Sequence, residues 1–531
     1  MGTLWFGGTV VPMTEEERRE EAVFTENGIV AAIGSEKALR SEFGASIHKE
    51  VDLRGGALYP GFIDSHLHMI GHGEKLLKLD VSSVTSLDQL KKLLEQQAAA
   101  VPDGEWVLAE GFNENLYENR TVPDRLFLDE ISATKPIMIT RVCRHAMAVN
   151  SAALELAGVS KETQSPAGGR IERWDDGEPT GYLHDQAQEL IKPYLPKIDR
   201  NYVKRALETA LADLYQHGFT GGHTEDLFYY NKPEETASVF REVIGPHRKF
   251  RTNLLVHHEA VDVLDSFPES EFLQPGSIKL FADGALGGRT ALLKAPYSDA
   301  DTSGVAIHTQ QQLEAIVKKA RTLQMPVAVH TIGDEALEMA VTAIENDPPP
   351  AGKRDRLIHL QVTTPELRSR LRNLQVALDI QPRFTASDFP WVMDRLGEDR
   401  LPHSFAWKTL LEDGLICAGG SDAPIEPVDP LLGIHAAVTR RRHDEAHEGW
   451  LPDQKLTLFE ALRLFTSGSA AAVSEEHKAG MVKPGYRADF TVLSRDLSLL
   501  EPDEWLHVKT VMTVVDDTIV YHRNPECAEQ Q

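Results

Sequence analysis

Gly61-Phe62-Ile63-Asp64-Ser65-His66-Leu67-His68 follows Pro60 and reads as an apolar strand that ends on two histidines. In an extended segment, residues two apart point to the same side, so His66 and His68 project together while Leu67 faces away. Two imidazoles side by side at a strand end make half of a metal site. The plainer alternative is two unrelated polar residues leaving a strand. Whether later strands supply the missing ligands decides between them.

Eight strand candidates, each followed by a helical stretch, run through the middle of the chain. They are Phe62–His68, Thr220–Glu225, Thr252–His257, Ser277–Ala282, Pro326–His330, Arg356–His359, Val376–Ile380 and Leu415–Gly419. The helices carry start signals of their own. Thr364-Pro365-Glu366 offers an N-cap followed by proline at the first helical position. Thr85 with Asp88 resembles a capping box ahead of Leu87, Leu90, Leu93 and Leu94, and Thr309 precedes Leu313, Ile316 and Val317 in the same way. This alternation suits an α/β protein built as a parallel (β/α)8 TIM barrel, whose sites lie at the C-terminal ends of the strands. A doubly wound open sheet would also alternate, but no glycine-rich phosphate loop follows the first strand.

The ends of the chain have a different texture. Residues 1–58 and 481–531 hold short strands broken by turns, including the hairpin signal Glu26-Asn27-Gly28 and the strand candidates Ala488–Leu493, Val508–Val515 and Thr518–Tyr521. Neither end is large enough to build a core alone, so both are expected to form one small β-sandwich domain around a barrel spanning 59–480. The gap between the first and second barrel strands is far longer than one helix and two loops require. Residues 82–198, with strand-like Trp106–Glu110 and Pro136–Val142, read as a subdomain inserted there, able to lean over the barrel mouth.

Composition narrows the function classes. The net charge of −26 would repel a phosphate backbone, which argues against nucleic-acid binding. Three widely separated cysteines, Cys143, Cys417 and Cys527, define neither a disulfide framework nor a zinc knuckle and fit a reducing cytoplasm. The N-terminus lacks the features of a signal peptide, and no apolar run is long enough for a membrane span. A small molecule is the expected partner, and a homo-oligomer is compatible with the sequence.

The strand ends then supply what the first stretch asked for. The fourth strand carries Lys279, the fifth ends on His330, the sixth on His359, and the eighth leads into Gly420-Ser421-Asp422-Ala423-Pro424. Apolar strands that stop on such groups are costly unless the groups find partners, and in a barrel these ends converge on one mouth. Four imidazoles and a carboxylate match borderline divalent metals, zinc above all. Each histidine alone has a commoner reading as a core group bonded to backbone; together they would require five coincidences of placement. Lys279 has three readings: a rim cation facing an anionic substrate, a snorkelling side chain, or an amine converted by carbon dioxide to a metal-bridging carbamate.

The chain resembles the amidohydrolase superfamily, in particular its amidohydrolase-3 (YtcJ-like) branch, over nearly its whole length. The resemblance rests on Pro60–His68, Arg144-His145-Ala146 with Asn150-Ser151, Ile278–Arg289, His330–Asp334, His359-Leu360-Gln361, Gly420–Pro424 and Gly485–Phe490. It implies a metal-bearing barrel with a β-domain from both termini. It also implies that His66, His68 and Asp422 hold one metal and His330 and His359 another, with Lys279, carboxylated, bridging two zinc ions. Two departures stand out. Arg144 precedes His145 where a glycine is usual, and Asp516-Asp517 replaces a turn that often bears glycine.

Metal chemistry then suggests the reaction. Divalent ions lower the pKa of a bridging water, and Asp422 is placed to act as general base and to pass the proton to a leaving amine. His145, Asp283 and Arg289 are candidates for positioning substrate, each with an alternative as a loop-bracing polar group. The leading expectation is an amidohydrolase acting on a carbon–nitrogen bond other than a peptide bond, with formamide-type amides suggested by the resemblance. A mononuclear aminohydrolase that deaminates a ring carbon is the alternative; it would place an acidic residue closer behind the fifth-strand histidine than Asp334 and Glu335 stand behind His330. A catalytically idle metal-binding protein is the third reading, and its sign would be a lost ligand or a lost Asp422.

Overall fold

The computed structural model describes residues 2–117, 120–141, 145–230, 232–268 and 270–524. The chain forms two compact units, one comprising the residues up to Met69 together with those from Ala210 onward, the other Ile70–Thr209.

The first unit contains the barrel. Its strands are β1 (Phe62–Leu67), β2 (Phe219–Thr224), β3 (Arg251–His257), β4 (Leu273–Phe281), β5 (Val327–Thr331), β6 (Asp355–His359), β7 (Val376–Ile380) and β8 (Ile416–Gly419). They pair in sequence order into one sheet of eight parallel strands. The strands are apolar because a parallel sheet covered by helices is buried on both faces. Register sets the stagger of the site: Lys279 lies opposite His257, Phe281 opposite His330, and Thr331 opposite His359.

The seam between β8 and β1 is closed by the loop after β8. The Asp422 N–H donates to the His66 carbonyl at 2.7 Å, and the His68 N–H donates to the Ala423 carbonyl at 2.8 Å. The buried carboxylate of Asp64 accepts N–H groups from both His66 and Ser421. Gly420 is required at this seam, because a Cβ there would lie 2.6 Å from the His66 nitrogen. Across the barrel interior, Arg356 on β6 pairs with Asp379 on β7 and donates to the Ser65 carbonyl on β1. Three strands are thus tied beneath the histidines.

Both termini contribute to the β-domain. A four-stranded sheet holds Gly2–Phe6, Ala22–Glu26, Ile29–Gly34 and Ile47–Asp52. A five-stranded sheet joins Thr9–Val10 and Ala57–Pro60 to Phe490–Leu493, Thr510–Val515 and Thr518–His522. Trp5, Val23, Leu58, Phe490, Val492 and Val514 form a shared core. The hairpin at Asn27-Gly28 has positive φ at both residues, the turn that matches strand twist. Asp516 and Asp517 also adopt positive φ without glycine. Their side chains are held by Lys249 at 2.8 Å and Thr25 at 2.7 Å, which offsets the strain.

The second unit is organised on a six-stranded sheet in the order Gly169–Arg173, Pro179–Asp185, Ala146–Val149, Ile137–Arg141, Val107–Phe112, Leu79–Asp80. The helix Leu87–Ala100 packs Leu90, Leu94 and Ala98 on Val107, Ile137 and Ile139. Its cap is Ser86, whose hydroxyl accepts the Gln89 N–H, one residue later than the Thr85 expected from sequence. Thr309 and Thr364 cap their helices as read, Thr309 in a capping box with Gln312. Among the described residues no helix is long and apolar enough to cross a membrane. Cys417 is buried, and burial pushes its thiol up to about 12, whereas Cys143 and Cys527 lie outside the described residues.

Candidate metal centre

β1 delivers His66 at its end and His68 just beyond it, and both imidazoles reach the same oxygen of Asp422. The loop after β8 brings Asp422 back onto them. Its Oδ1 lies 3.5 Å from Nε2 of His66 and 3.4 Å from Nε2 of His68. Asp422 adopts a left-handed backbone (φ +56°), which turns its carboxylate towards the histidines. The ligand atoms of these three residues lie within 4.8 Å of one another, and they form the cluster that stands out among the described residues.

These separations test whether an ion fits. Around a tetrahedral zinc with bonds of about 2.1 Å, neighbouring ligand atoms sit about 3.4 Å apart. Both edges involving Asp422 match. Two imidazole nitrogens and one carboxylate oxygen also form a donor set that zinc favours. On the other side of the ring, the buried Nδ1 of His66 has no hydrogen-bond partner among the described residues.

Lys279 on β4 is wholly buried, with its amine 3.4 Å from Nε2 of His66 and 4.6 Å above the Phe281 ring. His359 and His330 complete the ring of side chains. Their ring centres are 4.5 Å apart, and that of His359 is 5.7 Å from that of His66. Nδ1 of His359 contacts Oε1 of Gln381 at 2.7 Å, which leaves its other nitrogen for the site. Nε2 of His330 lies 3.0 Å from the Gly284 carbonyl, so in this rotamer that nitrogen is engaged by backbone. His359 also has a positive φ (+80°), a strained arrangement of the kind found at functional positions.

Electrostatics follow from burial. Desolvation holds His66 and His330 well below the ordinary histidine range and brings His359 to about 4, so all three are neutral, as metal ligands must be. Burial alone would lower His68, but its bond to Asp422 together with the charges of Asp422, Glu225 and Asp226 outweighs that and lifts it to about 9. Burial likewise works against the Asp422 carboxylate, yet His68, His359 and Lys279 keep it below its usual range. For Lys279, burial dominates and drops the amine to about 8.

Residues not singled out by sequence reasoning complete the surroundings. Nδ1 of His68 lies 2.6 Å from the Glu225 carbonyl, just past β2, and the Tyr229 hydroxyl donates to the Glu225 carboxylate at 2.5 Å. The only advance signal was the acidic pair Glu225-Asp226 after a strand, which is common in loops. The cluster floors a cavity of about 490 Å³ whose walls include Tyr229, Phe281, Leu286, Ile332, Phe384 and Trp391.

The proposed substrate contacts fare differently. Asp283 is buried and accepts N–H groups from Leu292, Ile332 and Gly333 at 2.8–3.0 Å, so the geometry makes it the brace between the loops after β4 and β5. Arg289 pairs with Asp299 at 2.7 Å and is not among the residues lining the cavity. His145 belongs to the second unit, where its Nδ1 lies 3.1 Å from Asp185. Arg144, before it, lies outside the described residues.

The amidohydrolase family model matches residues 49–521. The chain is 45% identical over 529 residues to the YtcJ protein of Bacillus subtilis (strain 168), covering 99% of this chain and all of that protein. It is 26% identical over 535 residues to the N-substituted formamide deformylase of Arthrobacter pascens, covering 95% of each. Among solved structures, an uncharacterized metal-dependent hydrolase from Pyrococcus horikoshii superposes with a TM-score of 0.74 at 27% identity, over 94% of this chain and 99% of that one.

Proposed function

The chain belongs to the amidohydrolase family of metal-dependent hydrolases, and from that premise we propose that it cleaves a carbon–nitrogen bond in an amide- or formamide-like small molecule. The observation that carries this reading is the His66, His68 and Asp422 cluster, with edges of 3.4 and 3.5 Å, at the floor of a cavity at the C-terminal barrel mouth. Similarity to the formamide deformylase supports the choice of bond.

In this reading His66, His68 and Asp422 hold one zinc ion and His330 and His359 a second. Lys279 would join the site as a carbamate ligand, formed when its neutral amine adds to carbon dioxide and releases a proton. Bound divalent metal supplies Lewis acidity for the scissile carbonyl and lowers the pKa of water. Asp422 accepts the proton of the attacking water and returns it to the leaving nitrogen. Phe281, Phe384 and Trp391 exclude bulk water from the carbonyl. A cytoplasmic setting is the reading the sparse cysteines support.

One observation favours the second reading, a mononuclear aminohydrolase: the Gly284 carbonyl engages Nε2 of His330, and the close ligand cluster holds three residues. Metal content by elemental analysis, measured alongside turnover of a panel of N-formyl and N-acyl amines and of aminated ring compounds, separates the two. Two ions per chain with amide turnover is the expected result. One ion with ring deamination would replace the leading reading, and a chain that binds no metal would overturn both.

A further inference from the structure

The cavity has one wall that the proposed chemistry leaves unused. Asp388, just past the short helix Phe384–Ser387, and Glu426, in the loop after β8, both line it. Arg383 donates to Glu426 at 3.0 Å. Oδ2 of Asp388 accepts the Gln361 amide at 2.9 Å, which leaves Oδ1 to an occupant of the cavity. Two carboxylates against one guanidinium give this wall a net negative charge. The surfaces around it are apolar, formed by Phe281, Leu286, Ile332 and Trp391. Among the described residues that line the cavity there is no lysine or arginine.

A carboxylate in such surroundings is poorly compensated. Burial, reinforced by the nearby Glu426, outweighs the Gln361 bond and lifts Asp388 to about 7. A cationic occupant would offset that cost, whereas an anionic one would add to it.

We propose that Asp388 determines specificity, and that the site selects amides whose apolar body ends in a cationic nitrogen while rejecting those that carry a carboxylate. The inference rests on the hydrolase reading for the identity of the reacting bond, but its charge argument rests on the wall alone. Amides of amino acids with a free carboxylate are therefore poor substrates, because no lysine or arginine among the described lining residues receives that group.

The test uses three N-acyl benzylamines that differ only in the para group: aminomethyl, methyl or carboxyl. Their ketone isosteres, in which a methylene replaces the amide nitrogen, cannot be hydrolysed and report binding by calorimetry to the metal-loaded protein. The aminomethyl compound is expected to bind on the order of tenfold more tightly than the methyl one, with the carboxyl compound weakest. Asp388→Asn, which keeps the shape of the side chain, should remove about tenfold of the cationic advantage. Equal affinities, an advantage that survives Asp388→Asn, or no binding by any of the three would overturn the proposal. Turnover of the amides is measured separately. Ordered binding without hydrolysis would refute the hydrolase reading and leave the selectivity standing, and hydrolysis without ordering would do the reverse.

Discussion

The amine of Lys279 lies 3.4 Å from Nε2 of His66, on a side chain with no exposed surface. Burial works against a protonated ammonium there, although the Glu225 and Asp422 carboxylates favour it. The His66, His330 and His359 rings offer no negative charge, and burial has already brought the amine to about 8, so a neutral fraction is present near neutral pH. A neutral buried amine is the form that carbon dioxide converts to a carbamate, and the negative charge so created would suit the two-ion arrangement proposed above.

With isotopically labelled bicarbonate, the metal-loaded wild type should show a carbamate carbonyl resonance that Lys279→Met lacks. The variant should retain one ion where the wild type holds two, and lose on the order of a hundredfold or more in kcat. An unchanged metal count in Lys279→Met would show that Lys279 does not bridge.

Asp422→Asn is expected to fold, because asparagine tolerates the left-handed backbone that this position requires (φ +56°). It removes the charge and the basic oxygen while His66 and His68 remain to hold an ion. Turnover should fall about 10²–10⁴-fold with at least one metal retained. Near-normal turnover would remove Asp422 from the role of general base.

Gly420→Ala probes the seam of the barrel. The added Cβ would meet the backbone of His66 at 2.6 and 2.9 Å, and backbone cannot step aside as a flexible side chain can. The variant should lose about 1–3 kcal/mol of stability and gain less thermal stabilisation from added metal than the wild type. Melting curves with and without zinc provide both readings. Matching curves for variant and wild type would mean that the seam has room to relax.

Asp496 joins the two ends of the chain in the β-domain. It accepts Nε of Arg19 and the hydroxyl of Tyr59, both at 2.8 Å, and the Ser498 N–H at 3.0 Å. Burial works against its charge, but these partners outweigh burial and lower its pKa below the ordinary value. The carboxylate therefore adds stability above the unfolded pKa of about 3.9, and that stability is lost as pH falls through the lower folded value. Asp496→Asn should cost about 1–2 kcal/mol near neutrality. Urea titrations across pH should show the gap between variant and wild type closing in acid. A gap of constant size would assign the loss to packing instead of charge.

Much of the barrel was legible because its signals are local. Strands ending near His66, His330 and His359, and one carrying Lys279, announce themselves as short apolar runs with a polar group at or near the end. The caps at Thr309 and Thr364 were equally local, whereas Thr85 yielded to its neighbour Ser86 because both offer a hydroxyl and only the helix register chooses. Asp283 and Arg289 were harder to judge. Each sits in a motif beside the site, but the direction of each side chain depends on what the loops after β4 and β5 pack against.

By itself the sequence determined the alternation of strands and helices and the polar residues that end the strands, since both follow from neighbouring residues, and the barrel they suggest brings those ends to one mouth. Only the tertiary structure decided the distances that let Asp422 share a space with His66 and His68, the bracing role of Asp283, and the carboxylate wall of Asp388 and Glu426. These rest on the stagger between strands and the return of the loop after β8 across the seam. Both are contacts between residues distant in sequence, tens of positions apart between neighbouring strands and hundreds across the seam, and no local pattern carries them.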